Sequence, residues 1–246
     1  MTSMHYTCEI SGPDGRPFYY LDELGIKPYV ESALFGVDYP DPFPGEYRAE
    51  IVVDIGAHVG SATRLFKSRY STAHVIAFEP NPTSFTILER NLEGISDVEL
   101  VRAGLSDTNG KVRLFSGRYS SMQASMLPNE ENTAEYVNVD CLNATEALAS
   151  RGIEKVSIIK LDAEGYEVRI LNALGRYAKT ANIVYLEYHS EPDRHAIDAL
   201  FAQDYVLFHA HVIEPHRGTA AYIAEDVLHK LQNQSKKPQY AFAKSQ

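Results

Sequence analysis

From residue 51 onward, short apolar runs rich in β-branched residues alternate with longer stretches whose apolar positions recur at helical spacing. Ile51-Val52-Val53, flanked by polar residues, reads as a strand buried on both faces. In the SATRLFKSRY that follows, Ala62, Leu65 and Phe66 share one helical face. The pattern predicts strand 51–55, helix 60–69, strand 74–79, helix 82–94 and strand 98–103. After a break it predicts helix 143–150, strand 156–161, helix 166–174, strand 182–188 and helix 193–202, and then an antiparallel pair of strands at 205–212 and 219–224. Such alternation implies right-handed βαβ units in an α/β fold with a mainly parallel sheet and helices on both faces.

Residues 1–48, with GPDGRPFYY and DYPDPFPGEYR around one helical candidate near 22–34, read as an N-terminal cap or lead-in. Residues 104–140 interrupt the alternation with two short strand candidates, KVRLF and EYVNVD, around SGRYSSMQASMLPNEENTA. A polar insertion of that length is expected to be functional or mobile, and Ser120, Ser121 and Met122 are its candidates for a lid. Residues 227–246 read as a polar, frayed tail, which leaves 49–226 as one folded domain.

A chain of 246 residues with 44% apolar side chains can bury a sizeable core. No apolar stretch approaches the roughly 20 residues of a membrane helix, and MTSMHYTCEISGPDG lacks the layout of a signal peptide, so a cytoplasmic protein is expected. Cys8 and Cys141 are too few for a disulfide framework or a zinc site. With 23 basic against 33 acidic side chains the formal charge is −10, which disfavours nucleic acid as a partner. Neither a membrane nor a metal is called for, and the oligomeric state stays open, a homodimer being one option.

The candidate chemistry begins where the first buried strand ends, at Asp54, Gly56, Ala57, His58 and Gly60. A glycine turn between strand and helix lets a ligand approach the backbone closely. Dinucleotide and nucleoside-sulfonium sites share such a turn, but a pyrophosphate would be repelled by the carboxylate of Asp54. S-adenosylmethionine carries a sulfonium and an ammonium, which that carboxylate favours. The turn contains no Gly-x-Gly, and a Tyr-x-x-x-Lys spacing falls in the tail at Tyr240 and Lys244. Glu79, held at the end of the second strand by Pro80, is placed to accept both ribose hydroxyls of an adenosine.

VVDIGAHVG, VIAFEPNP, VRAGLSDTNG, IIKLDAEGYE and IVYLEYH occur in that order between about residues 47 and 225. In these motifs the chain resembles the FkbM family of S-adenosylmethionine-dependent methyltransferases. The resemblance implies a class I, Rossmann-like fold with a seven-stranded sheet whose last strand is antiparallel. It also implies S-adenosylmethionine as donor and O-methylation of a small molecule, glycan or secondary metabolite. His58 departs from the small polar residue, such as Asn, expected there.

Ligands of open α/β sheets bind at the carboxyl ends of the strands, where KLDAEGYE supplies Asp162 and Glu164 and YLEYH supplies Glu187 and His189. His189 is the first candidate for the general base, since a neutral imidazole titrates near neutrality and a nearby carboxylate raises its basicity. Asp162 is the second, beside the sulfonium, positioning donor or acceptor; capping the next helix is its plain alternative, a role Glu164 can also fill. Asp162, Glu164, Glu187 and His189 could also converge on magnesium, which spacing alone does not establish. Ser106 and Asp107 can reach the adenine edge or simply form a turn into KVRLF. Tyr39, Tyr47 and Arg48 can shelter donor or acceptor or pack the cap. Two alternatives stand beside the methyltransferase: an NAD(P)-dependent oxidoreductase and a non-catalytic S-adenosylmethionine-binding interaction module.

Overall fold

The computed structural model describes residues 7–23, 25–117, 120–128 and 132–234. The cap opens with an antiparallel hairpin, β1 (Thr7–Ser11) and β2 (Pro17–Leu21), and continues into α1 (Ile26–Phe35). Phe18, Leu21, Ile26, Val30 and Leu34 close over Val59 and Ile87 of the main domain. Arg64 binds Asp14 with two nitrogens at 2.8 and 2.9 Å, tying the hairpin turn down. The lead-in is therefore built onto the core rather than trailing from it.

The alternating stretch forms β3 (Ile51–Ile55), α2 (Ser61–Arg69), β4 (His74–Phe78), α3 (Pro82–Leu92) and β5 (Val98–Val101). A three-stranded sheet follows, from β6 (Gly104–Ser106), β7 (Gly110–Gly117) and β8 (Asn132–Asn143), in the order β6-β8-β7. Then come α4 (Ala144–Ala149), β9 (Ile158–Leu161), α5 (Glu167–Leu174), α6 (Arg176–Thr180), β10 (Ile183–Tyr188), α7 (Glu191–Phe201), β11 (Tyr205–Glu214), β12 (Arg217–Ala224) and α8 (Glu225–Gln234). The central sheet has seven strands in the order β11-β12-β10-β9-β3-β4-β5, with the last strand, β12, antiparallel to both neighbours. This is the class I Rossmann-like methyltransferase topology.

Period-two alternation sorts the strand residues between two cores. Val53, Ile55, Ile76, Ile159, Leu161 and Val184 face α4 to α7, while Val52, Val75, Ile158, Ile183 and Tyr185 face α2 and α8. Asp54, Lys160 and Glu187 thus project on the second side. Helix starts follow local chemistry: Asn81 accepts the Thr83 N–H at 2.9 Å, and Ser190 accepts the Asp193 N–H at 3.2 Å. That Ser190 cap and Pro192 start α7 two positions before the expected 193.

Three expectations change. Residues 104–106 pair with β8, so the middle insertion is a sheet rather than two strands around a loop. Lid residue Ser125 is pinned to Phe115 of β7 by backbone hydrogen bonds of 2.8 and 3.1 Å. The tail's first part is α8, which buries Val227 and Leu231, because its apolar spacing matches the open sheet face beneath it; residues 235–246, including Tyr240 and Lys244, lie outside the described residues. Cys8 and Cys141 are both unpaired. Among the described residues, no helix is long and apolar enough to cross a membrane.

Candidate active site

β3 and β9 run side by side with Asp54 in register with Lys160, so both side chains share a face and form an ion pair of 3.3 Å. Asp54 is fully buried and also accepts the Thr63 hydroxyl at 2.5 Å. Burial opposes the charge of Lys160, but Asp54 and Asp162 outweigh it and raise its pKa. The Lys160 ammonium continues to the carbonyl of Gly56 at 2.6 Å and that of Ile55 at 3.4 Å, bracing the glycine turn from below. Asp54 lines neither of the cavities described next, and its charged partner in the fold is Lys160.

Both strands end in left-handed turns. After β3, Gly56 (φ 77°), His58 (φ 50°) and Gly60 (φ 93°) take positive φ; after β9, Glu164 (φ 49°) and Gly165 (φ 98°) do. Non-glycine residues there store strain, which tends to gather at functional sites. A Cβ on Gly60 would stand 2.7 Å from Leu88, so its turn must also fit tightly over α3.

One cavity, with about 650 Å³ of empty space including its mouth, lies beside this turn. Glu79 and Pro80 form one wall, and Leu105, Met126, Ala163 and Ile170 supply apolar surface. Glu79 accepts the N–H groups of His58 and Asn81, each at 2.7 Å, which orients its carboxylate. Burial raises its pKa to about 7, against the pull of those two hydrogen bonds. His58 is the reverse case: burial, helped by the charge of Lys160, lowers its pKa to about 4, so its imidazole is neutral. Its Nε2 lies 2.8 Å from the hydroxyl of Ser121, which in turn donates to Glu23 at 3.0 Å. Glycine turn, lid and cap therefore meet at one hydrogen-bonded point.

A second, open cleft lies across the turn, lined by Tyr29, Ser32, Asp38 and Tyr39 of the cap, by Ala57 and Lys160, and by Glu187, His211 and Thr219. The two cavities share Gly56, His58, Met122 and Asp162. Asp162 Oδ1 is buried there without a hydrogen-bond partner. A buried oxygen left unpaired is costly unless something fills the site.

His189 stands among carboxylates: Glu167 at 3.2 Å, Glu164 at 3.4 Å and Glu187 at 3.5 Å. Burial opposes its charge, but Glu164 and Glu167 prevail and push its pKa up to about 12. An imidazole so held in its charged form has no lone pair for an incoming proton, which weighs against the role of general base. Glu167 joins Glu164 and Glu187, which were anticipated near His189. Glu187, also held by Arg217 at 2.5 Å, has its pKa raised to about 8 by burial and by the charge of Asp162. No side chain caps α5: Glu167, its first residue, reaches back to accept the N–H groups of Ala163 and Gly165 in the preceding turn, and Glu164 points at His189 and Arg217.

Asp162, Glu164 and His189 could present ligand atoms within 4.8 Å of one another. A divalent ion there would first have to displace the proton of His189 and break its pairing with Glu164. Ser106 and Asp107 stand outside the cavity lining: Ser106 donates to Asp107, which Arg169 draws to the surface at 2.9 Å, while Gly104 and Leu105 take the wall. Tyr47 packs in the core, its hydroxyl on Asn182 and Ser157. Sequence reasoning missed Lys160 and Asp38. A lysine inside an apolar strand is a signal for the first; the second acquires meaning only where the cap folds back over the sheet.

Residues 54–231 match the family model described as the methyltransferase FkbM domain. Methyltransferase sdnD of Sordaria araneosa is 25% identical over 227 residues, covering 79% of this chain and 87% of that protein. The hexuronic acid methyltransferase AglP of Haloferax volcanii is 24% identical over 155 residues, covering 63% of this chain but only 62% of that protein. In fold, the chain is similar to the fibrillarin pre-rRNA processing protein of Methanococcus jannaschii, with a TM-score of 0.50 at 14% identity, over 92% of this chain and 84% of that one. The matched domain removes the oxidoreductase alternative and accounts for a glycine turn that lacks Gly-x-Gly: the chain belongs to the FkbM methyltransferase family.

Proposed function

We propose that the protein transfers a methyl group from S-adenosylmethionine to a hydroxyl of a small molecule, glycan or secondary metabolite. The observation that carries this reading is the meeting of two cavities at Gly56, His58, Met122 and Asp162. A transferase needs its donor and acceptor pockets to touch where the group crosses, and a partnerless carboxylate oxygen lies at that junction. Oxygen as the acceptor atom is supported by the family and by AglP, since a hexuronic acid offers oxygen nucleophiles.

When bound, the donor supplies a methyl group on a sulfonium, open to in-line displacement. Glu79 holds the ribose hydroxyls with the lone pairs left beside its two backbone hydrogen bonds. Leu105, Met126 and Ile170 enclose the adenine and exclude water. Asp162, facing both pockets, attracts the positive end of the donor and takes the proton of the acceptor hydroxyl. His189 is a positioning residue, holding Glu164 and Glu187 in place as the cation between them. Much of the acceleration then comes from placing the acceptor oxygen in line. Magnesium has no part in this reading. A cytoplasmic location is supported by the unpaired Cys8 and Cys141.

Calorimetric titration with S-adenosylhomocysteine tests the donor site: micromolar binding is expected, with no heat from NAD(P). Transfer of labelled methyl from S-adenosylmethionine to a hydroxyl-bearing acceptor tests the reaction. Binding without turnover across a broad acceptor panel would favour the interaction-module alternative.

A further inference from the structure

The acceptor cleft has a charge pattern that bears on what it accepts. Asp38, Asp162 and Glu187 are its carboxylates, and Lys160 is the one lysine or arginine among its described lining residues. The Lys160 ammonium is already engaged by Asp54 and by the carbonyls of Ile55 and Gly56. Arg217 reaches Glu187 and Glu164 and does not line the cleft. The one ammonium an anionic acceptor would meet is thus already paired, and the remaining basic side chains of the lining are the imidazoles of His58 and His211.

Asp38 is the carboxylate that the cap contributes to the cleft. Ser32 donates to its Oδ1 at 2.5 Å, and no ion pair holds it among the described residues. Burial raises its pKa, Ser32 works against that, Asp162 adds to it, and His211 and His209 attract the charge without offsetting burial. Thr219, which also lines the cleft, is 8% exposed and its buried hydroxyl has no hydrogen-bond partner. Thr219 stands opposite Glu187 in the β10–β12 register. Tyr29 and Tyr39 supply aromatic surface to the same cleft.

We infer that the cleft takes an acceptor bearing an amine beside its hydroxyls, with the ammonium at Asp38 and a hydroxyl at Thr219, and that it disfavours acceptors bearing a carboxylate or phosphate. The inference rests on the methyltransferase reading above. An ammonium would pair with a half-buried carboxylate where the dielectric is low, and the tyrosines favour a cation over an anion. A hydroxyl would satisfy the orphaned Thr219 oxygen.

The test uses three matched probes, glucosamine, glucose and glucuronate, titrated into the full chain saturated with S-adenosylhomocysteine and followed by saturation-transfer NMR. Glucosamine is expected to bind about tenfold tighter than glucose, a difference of about 1.4 kcal/mol, and glucuronate to give no signal. Asp38→Asn should remove the advantage of the amine. Equal binding of glucosamine and glucuronate, absence of glucosamine binding, or a preference that survives Asp38→Asn would each overturn the inference. The wild-type comparison stands alone if the variant does not fold. Failure of S-adenosylhomocysteine itself to bind would instead sink the methyltransferase reading, so the two failures are told apart in one sample.

Discussion

A Cβ built on Gly56 would stand 1.8 Å from the carbonyl oxygen of Asp162. The ends of β3 and β9 are pressed together at this point, with the Asp162 N–H bonded to Ile55 at 3.1 Å. The glycine is thus required by packing of the protein on itself, before any ligand arrives.

Gly56→Ala should therefore damage the fold as well as the site. The clash is with backbone, and φ of 77° is strained for alanine, so a cost of about 3 kcal/mol or more is expected. Thermal denaturation without ligand checks it: a variant that melts like the wild type while losing only donor affinity would return the glycine to a purely ligand-facing role.

Glu79 should couple donor binding to pH. Ribose hydroxyls favour its ionised form, so S-adenosylhomocysteine affinity should rise with pH up to about 7 and then level off, by up to about tenfold per unit on the rising limb. Without ligand the sign is opposite: an acid whose folded pKa is raised contributes stability below its unfolded value that is lost as pH climbs through about 7. Calorimetry from pH 5.5 to 8.5, in buffers of different ionisation heat, should show proton release that Glu79→Gln abolishes. Glu79→Ala should cost about 2 kcal/mol in affinity and also lower the melting temperature, because it orphans two backbone donors.

The imidazole of His189 should not titrate near neutrality. Its folded pKa is raised to about 12, so its contribution to stability is complete below the unfolded value near 6.5 and is lost progressively as pH rises from there through about 12. Imidazole NMR signals that stay fixed from pH 5 to 9 would agree; a midpoint near 6.5 would restore it as a candidate base. His189→Ala should destabilise by roughly 3–5 kcal/mol, since it leaves Glu164, Glu167 and Glu187 without their shared cation.

Asp162→Asn should lower turnover by about 10²-fold or more, because the amide keeps the shape but cannot take a proton. Its S-adenosylhomocysteine affinity should change far less, the product being uncharged at sulfur. Single-turnover kinetics separate the two effects, and undiminished chemistry would move the base elsewhere in the acceptor cleft.

Lys160→Met should be more harmful than the pair Lys160→Met with Asp54→Asn. The single change strands a fully buried carboxylate, at roughly 3–5 kcal/mol, whereas the double change removes both charges. Denaturant melts of the three proteins measure the coupling, and additive losses would show that the ion pair is not a unit.

Much of the fold was legible in the sequence because it rests on local signals. Alternating apolar runs marked most strands and helices of the central sheet, Gly56 and Gly60 marked the turn, and Pro80 after Glu79 marked where a strand must stop. Glu79 was locatable because its position depends on its own strand, and it does line the cavity. Side chains whose roles depend on distant neighbours were not legible. Asp54 looked like a ligand contact until Lys160 arrived beside it in register. His189 looked like a base until Glu164 and Glu167, from the segment between β9 and α5, came in beside Glu187 of its own strand. Ser121 meets Glu23 across 98 residues, a contact no periodicity announces. The reason is physical: backbone conformation responds to nearest neighbours along the chain, whereas the charge and availability of a titratable group respond to whatever charges and low-dielectric surroundings the tertiary structure brings within a few ångströms.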